Sequence, residues 1–167
     1  MNKTKKLVLS GILTALCVVG SMVYIPLGVS KCCPVQHLIN ILSAVLLGPW
    51  YGVAIAFVSS CLRNLLGLGT PLAFAGSMCG ALLSGILYKV TKKYPLACIG
   101  ELFGTSIIGG TLAYPIVVYI LGKQATLFAY VIPFFISSCG GTIIAIILLA
   151  VLSKTNTLER LKQNIDS

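Results

Sequence analysis

The chain has 167 residues, of which 57% are hydrophobic and only 9% are charged, and its mean hydropathy is +1.02. Soluble domains carry roughly 25% charged residues, so this composition excludes a soluble catalytic domain. The formal net charge of +9 would suit a nucleic-acid partner only if the basic residues shared one folded polar face. They lie instead in short clusters between apolar runs, which is typical of a membrane protein, and we expect no nucleic-acid partner.

The first apolar run follows Lys3, Lys5 and Lys6 and covers residues 7–25. It is longer than the roughly 7–15 residues of a signal-peptide core, and no small-residue cleavage site follows it. We therefore interpret it as a retained first helix. Apolar runs bounded by Gly, Pro and Lys predict five more helices. They cover about 36–47, 51–66, 71–90, 96–121 and 126–152, before a short polar cytoplasmic tail at 153–167.

A membrane crossing needs about 20 residues, so the second helix is too short to cross unaided and the third is marginal. One alternative joins these two helices into a single crossing that is kinked at Gly48-Pro49. Charge decides against it, because five crossings would place the cluster of Lys89, Lys92 and Lys93 outside the cell, whereas six place it inside. The predicted fold is an all-α integral membrane protein of six transmembrane helices in one domain, with the N and C termini cytoplasmic.

Several kinds of chemistry lack the residues that they need. No G-x-x-x-x-G-K-[ST] loop for nucleotide phosphates occurs. Of the three carboxylates, Glu159 and Asp166 lie in the tail, and Glu101 is predicted near the inner end of helix 5. The chain therefore offers little of the mid-membrane acidic character that is usual in ion-coupled carriers. An intramembrane enzyme also finds little support, so we expect neither catalysis nor a cofactor.

Two neighbouring cysteines, Cys32 and Cys33, lie in the loop after the first helix. Together with His37 they could form a soft-metal site, but the Cys-Cys-x3-His spacing matches no strong metal motif. A disulfide between neighbours would be strained. Two loop thiols are the simpler interpretation, and we expect no metal.

Polar residues in and near the apolar runs gather at the predicted outer ends of the helices. The candidates for a binding site are Gln36, His37, Asn40, Arg63, Asn64, Thr70, Ser77 and Tyr114. Their convergence predicts a pocket that opens outward. Arg63 could instead extend to the outer surface, but Asn64 lies beside it and no outer carboxylate is available to pair with it. Helix capping would also account for Gln36 and His37, and an interfacial belt for Tyr114.

Longer motifs run through most of the chain. They are Lys31-x-x-Pro34-Val35-Gln36-His37-x-x-Asn40, Leu46-Leu47-Gly48-Pro49-Trp50-Tyr51, Leu62-Arg63-Asn64-Leu65-Leu66-Gly67-x-Gly69-Thr70, Leu72-Ala73-Phe74-x-Gly76-Ser77-Met78 and Ala113-Tyr114-Pro115. In combination these motifs resemble the ThiW family, the S components of energy-coupling factor (ECF) transporters that are associated with the thiazole precursor of thiamine. Ala75 departs from the family pattern, which usually has proline there.

The resemblance implies a six-helix bundle in a prokaryotic cell membrane that binds a vitamin or vitamin precursor near the outer face. Its implied partners, besides the lipid bilayer, are a transmembrane T component and two ATPases that supply the energy. The family's small-x-x-x-small patch on helix 1, which meets the T component, maps onto Gly11 and Ala15. The alternatives are an S component for another vitamin or a metal ion, a stand-alone carrier and a membrane enzyme.

The implied ligand is 4-methyl-5-(2-hydroxyethyl)thiazole, hereafter hydroxyethylthiazole, or a close relative. This ligand is small, neutral and aromatic, with one hydroxyl, and the eight polar candidates above are expected to bind it. Arg63 fits it least well, because a neutral ligand needs no cation. The arginine could brace loop carbonyls, or it could indicate a phosphorylated or anionic ligand.

Overall fold

A computed structural model describes the backbone of residues 3–27 and 30–166 and the side chains of residues 3–25 and 32–165. Helices dominate this part of the chain. The elements are α1 Lys3–Gly20, β1 Ile25–Leu27, β2 Ser30–Cys32, α2 Pro34–Leu46, α3 Pro49–Leu65, α4 Leu72–Thr91, α5 Tyr94–Ile120, α6 Val131–Lys154 and α7 Thr157–Asp166. The predicted helical architecture is confirmed for the body of the molecule, and the antiparallel β1–β2 hairpin is the exception.

The first helix lies closer to the N terminus than predicted, because it begins at Lys3 rather than near Leu7. It ends at Gly20 rather than near Ile25, and the chain then turns into β1. Residues 23–25 are β-branched or aromatic and favour extended structure, and Pro26 lacks the N–H group that a continuing helix requires. Gly20 itself lies against α2, where an added Cβ would be only 2.4 Å from Val35 Cγ1. The hairpin thus replaces the last turn of the predicted helix.

Helices α2 and α3 are separate and run antiparallel. Gly48 joins them with a φ of 89°, a left-handed conformation that costs glycine little. Pro49 begins α3, where its missing N–H group would have no partner within the helix anyway. Gln36, near the start of α2, accepts a hydrogen bond from Arg63, near the end of α3. The alternative of a single crossing kinked at Gly48-Pro49 is therefore wrong.

Three helices in the described part of the chain are long and apolar enough to cross a membrane, namely α4, α5 and α6. Helix α2 has 13 residues and extends about 20 Å, which is less than the ~30 Å of a hydrocarbon core. Nine of those 13 residues are nevertheless buried. Neighbouring helices therefore enclose α2 along most of its length.

The predicted polar tail forms a helix, α7, that packs back onto the bundle. Leu158 and Ile165 are both buried in the main hydrophobic core. They lie seven residues apart, which places them on one face of a helix. The sequence pattern did not predict this helix, because apolar residues are few in a segment that is otherwise polar.

The two ends of the bundle differ in charge. At one end, Lys162 in α7 donates to Tyr88 Oη near the end of α4 at 2.7 Å, and Lys5 in α1 donates to the Asn164 carbonyl at 2.9 Å. We call this end the basic end. The opposite end holds the starts of α2, α4 and α6 and the ends of α1, α3 and α5. We call it the pocket end because of the cavity described below.

Helix α5 contains two π-helical segments, Gly104–Gly109 and Ile116–Ile120. The second follows Pro115, which cannot donate a backbone hydrogen bond to the preceding turn. The first passes close to α4, where a Cβ added at Gly104 would lie 2.6 Å from the Cys79 carbonyl oxygen. Single π-helical turns are frequent at functional sites, and the first of these carries part of the site.

Candidate functional site

A cavity of about 40 Å³ lies among the helices at the pocket end. Helices α2 to α6 and the loop between α3 and α4 form its wall. The lining residues are Cys33, Gln36, His37, Arg63, Gly69, Thr70, Leu72, Ala73, Gly76, Ser77, Thr105, Phe134 and Ser137. One water molecule needs roughly 10–15 Å³, so the cavity has room for about three. A ring-sized ligand would have to displace side chains.

Five of the eight predicted site residues line this cavity. They are Gln36, His37, Arg63, Thr70 and Ser77. These residues come from α2, α3, α4 and the loop between α3 and α4, so the predicted convergence of distant segments is present in the structure.

The other three, Asn40, Asn64 and Tyr114, lie outside the cavity wall, and Asn40 contacts Glu101 behind it. Asn64 Nδ2 donates to the Ser60 carbonyl at 2.8 Å and to the Thr70 carbonyl at 3.2 Å, so Asn64 orders the loop that carries Thr70. Tyr114 lies beside Gly122 at a separate surface depression. It lies nine residues after Thr105 on α5 and lines that depression together with Val118 and Lys123.

Glu101 is the central acceptor of the polar network behind the cavity, although we predicted it near the end of its helix and outside the site. Its side chain is completely buried. Its Oε1 accepts hydrogen bonds from Asn40 Nδ2 at 2.9 Å and Thr105 Oγ1 at 3.1 Å, and it lies 2.8 Å from His37 Nδ1. These hydrogen bonds offset the cost of burying a carboxylate.

The short length of α2 brings these groups together. Because α2 has only 13 residues, its first turn lies inside the bundle, within reach of the second turn of α5. Asn40, one turn after His37, also donates to the Ser77 carbonyl at 3.2 Å, and Ser77 Oγ donates to Asn40 Oδ1 at 3.3 Å. A lone carboxylate inside an apolar run is by default a candidate functional residue, and that signal could have identified Glu101.

His37 connects three helices at the cavity wall. Its Nδ1 faces Glu101, and its Nε2 lies 3.0 Å from Ser137 Oγ on α6. Ser137 Oγ also accepts the Cys33 N–H at 3.1 Å. A carboxylate oxygen only accepts hydrogen bonds, so Nδ1 donates to Glu101. Ser137 and Cys33 thus belong to the network, although they were absent from the predicted site.

Arg63 is the cation of the cavity. Its side chain is only 3% exposed, Nη1 donates to Gln36 Oε1, and Nη2 donates to Cys33 Sγ at 3.0 Å. The Nε atom is buried without a hydrogen-bond partner. The guanidinium therefore points into the protein, which contradicts the alternative that it extends to the surface. Among the described residues it donates to no loop carbonyl.

The possible metal site at Cys32, Cys33 and His37 gains no support from the described residues. Among them, no group of three or more His, Cys, Asp or Glu side chains is placed to hold a metal ion. Both nitrogens of His37 already face partners, Glu101 and Ser137. None of the cysteines forms a disulfide in this structure.

Gly141 sets the distance between α6 and α2 beside His37. An added Cβ would lie 2.3 Å from the Pro34 carbonyl oxygen and 2.6 Å from His37 Cβ. We expect Gly141→Ala to push the two helices apart and to lower the melting temperature of the purified protein by several degrees, because overpacking costs about 1–3 kcal/mol. Ligand binding should weaken as well, since His37 would move.

Gly140 offers a matched control for this substitution. An added Cβ there would lie 3.5 Å from Pro34 Cγ, which is an ordinary van der Waals distance. Gly140→Ala should therefore leave the melting temperature unchanged or raise it slightly, because alanine favours helix. Equal losses of stability in the Gly140 and Gly141 variants would contradict the close approach of α2 and α6.

Three comparisons relate the chain to known proteins. Residues 7–155 match the family described as "Thiamine-precursor transporter protein (ThiW)". A solved structure described as "Structure and mechanism of the S component of a bacterial ECF transporter" superposes with a TM-score of 0.76, at 21% identity, over 92% of this chain and 98% of that chain. At that identity the likeness is one of fold. The comparison with curated proteins finds no match.

Proposed function

The chain belongs to the ThiW family of thiamine-precursor transporter proteins, and from this premise we propose that it is the substrate-capture subunit, or S component, of an ECF-type importer. The observation that carries the proposal is the buried polar cavity at one end of a bundle with the S-component fold. A transmembrane T component and two ATPase subunits would be its partners. The subunit would bind its ligand without catalysing a reaction.

The chemistry of the cavity suits a small heterocycle with few polar groups. Phe134 and Leu72 provide apolar contact, and Ser77, Ser137 and His37 add polar groups to the lining. Hydroxyethylthiazole offers an apolar ring, a ring nitrogen that accepts a hydrogen bond, and a hydroxyl. Pockets of this kind combine apolar contact with a few polar groups that fix the orientation of the ligand. This match supports a thiazole precursor of thiamine, or a close relative, as the ligand.

We propose six membrane crossings with both termini in the cytoplasm. The clustering of Lys5, Lys89, Lys92 and Lys162 around the basic end supports this orientation, because lysine and arginine are enriched on the cytoplasmic side of membrane proteins. The pocket end would then face outward, where an importer captures its ligand. Helix α2 would cross only part of the bilayer, sheltered by its neighbours.

Delivery would require a partner surface, and the proposed one lies on α1. Gly11 and Ala15 are both exposed on this helix, and a Cβ added at Gly11 would meet no atom within 4 Å. Small exposed residues four positions apart allow a second helix to approach closely. Release of the ligand inside would follow reorientation of the whole subunit against the T component, driven by ATP hydrolysis in the ATPases.

Calorimetry on the purified protein in detergent tests the proposed ligand. We expect hydroxyethylthiazole, or its phosphate ester, to bind with a dissociation constant in or below the micromolar range, about −8 kcal/mol or better. Thiamine should bind more weakly, because its second ring would have to displace further side chains. The exposed variant Lys123→Gln should bind like the unaltered protein. Absence of binding of all three compounds, by a protein that melts cooperatively, would refute the substrate assignment.

A further inference from the structure

We propose that the ligand carries an anionic group, a phosphate monoester or a carboxylate, and that this group binds Arg63. The inference rests on the proposed function and specifies the chemical class of the ligand. A neutral thiazole alcohol satisfies the family description equally well. The charge of the ligand is therefore indicated only by the residues that line the cavity.

The first observation is that Arg63 is a buried cation with neutral partners. Its guanidinium donates to an amide oxygen of Gln36 and to the sulfur of Cys33, and thiol sulfur is a weak acceptor. The Nε atom is buried and donates to nothing. A guanidinium is always charged and presents its N–H groups as a planar fork that matches the paired oxygens of a carboxylate or phosphate. Gln36 and Cys33 each offer one acceptor atom, so neither provides the paired oxygens that match the guanidinium.

The second observation is that no carboxylate among the described side chains forms an ion pair with Arg63. Within the described part of the chain, Glu101 is the one buried carboxylate, and its Oε1 is engaged by three other side chains. Glu159 pairs with Lys162 at the basic end. A buried charge that lacks an opposite charge is costly. An anionic ligand would remove this cost on binding, whereas a neutral alcohol would leave it unchanged.

The third observation is the position of Arg63 in the cavity wall. Thr70 lines the same cavity, and its hydroxyl can donate to an oxygen of an anion that the guanidinium fork does not reach. An oxyanion would compete with Gln36 and Cys33 for the guanidinium, and their displacement would also widen a space that is now only about 40 Å³. Both the charge of Arg63 and the small volume of the cavity thus favour a ligand with an anionic group.

Calorimetric titration with three probes tests the inference. The probes are hydroxyethylthiazole, its phosphate ester and 4-methylthiazole-5-acetic acid. A hydrogen bond to a charged group is worth about 1.5–3 kcal/mol, which corresponds to a factor of roughly 10 to 150 in affinity. We expect at least one anionic probe to bind tighter than the alcohol by such a factor, and the tighter of the two anions identifies the group. Equal or tighter binding of the alcohol would overturn the inference and leave the proposed function intact.

Variants locate the preference at Arg63. Arg63→Gln should abolish the preference for the anionic probe, whereas Lys123→Gln, which removes an exposed charge, should keep it. Gln36→Glu supplies a carboxylate to a guanidinium that remains in place, so it should also abolish the preference and decides the matter if Arg63→Gln does not fold. A preference for the anion that persists in Gln36→Glu would overturn the inference. Failure of all three probes to bind to the unaltered protein would refute both the inference and the proposed function.

Discussion

The substitution Glu101→Leu is expected to weaken ligand binding at least about 100-fold and to destabilise the protein by several kcal/mol, because each buried donor left without an acceptor costs about 1–3 kcal/mol. The donors concerned are His37 Nδ1, Asn40 Nδ2 and Thr105 Oγ1, which all contact one carboxylate oxygen. Without that oxygen His37 would lose its orientation in the cavity wall. Calorimetry for binding and a melting curve in detergent measure the two effects.

Glu101→Gln is the matched control, since it keeps the shape and one acceptor oxygen. The second carboxylate oxygen, Oε2, has no hydrogen-bond partner and faces Gly80, where an added Cβ would lie 2.7 Å from it. The amide oxygen can still accept the hydrogen bonds that Oε1 accepts, and we expect a loss of affinity of about tenfold at most. If Glu101→Gln is as damaging as Glu101→Leu, the negative charge rather than the hydrogen-bond geometry is what the site requires.

Gly11→Trp is expected to reduce uptake of the ligand at least about tenfold in cells or vesicles that contain the complete transporter. The dissociation constant of the isolated subunit should stay within about twofold of its normal value. The reason is that Gly11 is exposed on α1 and an added Cβ meets nothing within 4 Å, so a large side chain leaves the subunit intact. The same side chain would hold a partner helix away from a surface made of small residues.

The control for this substitution is Gly11→Ala, which keeps the residue small. Uptake by that variant should match that of the unaltered protein. Co-purification with the T component supplies a second readout, and Gly11→Trp should reduce it in parallel with uptake. Normal uptake by Gly11→Trp would contradict the assignment of Gly11 and Ala15 to the partner surface.

Local sequence features predicted the helices well where proline or glycine marks a boundary. Pro34 and Pro49 begin α2 and α3, and Gly48 separates them. The hairpin after α1 and the helix α7 were missed for a common reason. Both depend on contacts with the bundle, such as the packing of Gly20 on Val35. Such contacts affect the local order of apolar and polar residues only weakly.

The residues of the candidate site were likewise predicted where local sequence features suffice and missed where packing decides. His37 and Arg63 were predicted because polar residues are conspicuous at the ends of apolar runs. Glu101 was misplaced because its depth was judged from its own helix alone, and Tyr114 was assigned to the site without knowledge of which face of α5 it occupies. The depth of a residue in the bundle, and the neighbouring helix that it faces, depend on how the helices pack. The spacing of residues along the sequence does not specify this packing.

By itself, the sequence determined that this protein is an apolar helical bundle with basic clusters at defined boundaries, because lipid excludes charge and every helix must satisfy its own backbone hydrogen bonds. It also determined the family, through motifs between Lys31 and Pro115 that lie within the family match over residues 7–155. Only the tertiary structure decided that His37 and Glu101, 64 residues apart, share a hydrogen bond. The physical reason is that their distance depends on how deeply the short α2 lies against α5, and the packing of the whole bundle sets that depth.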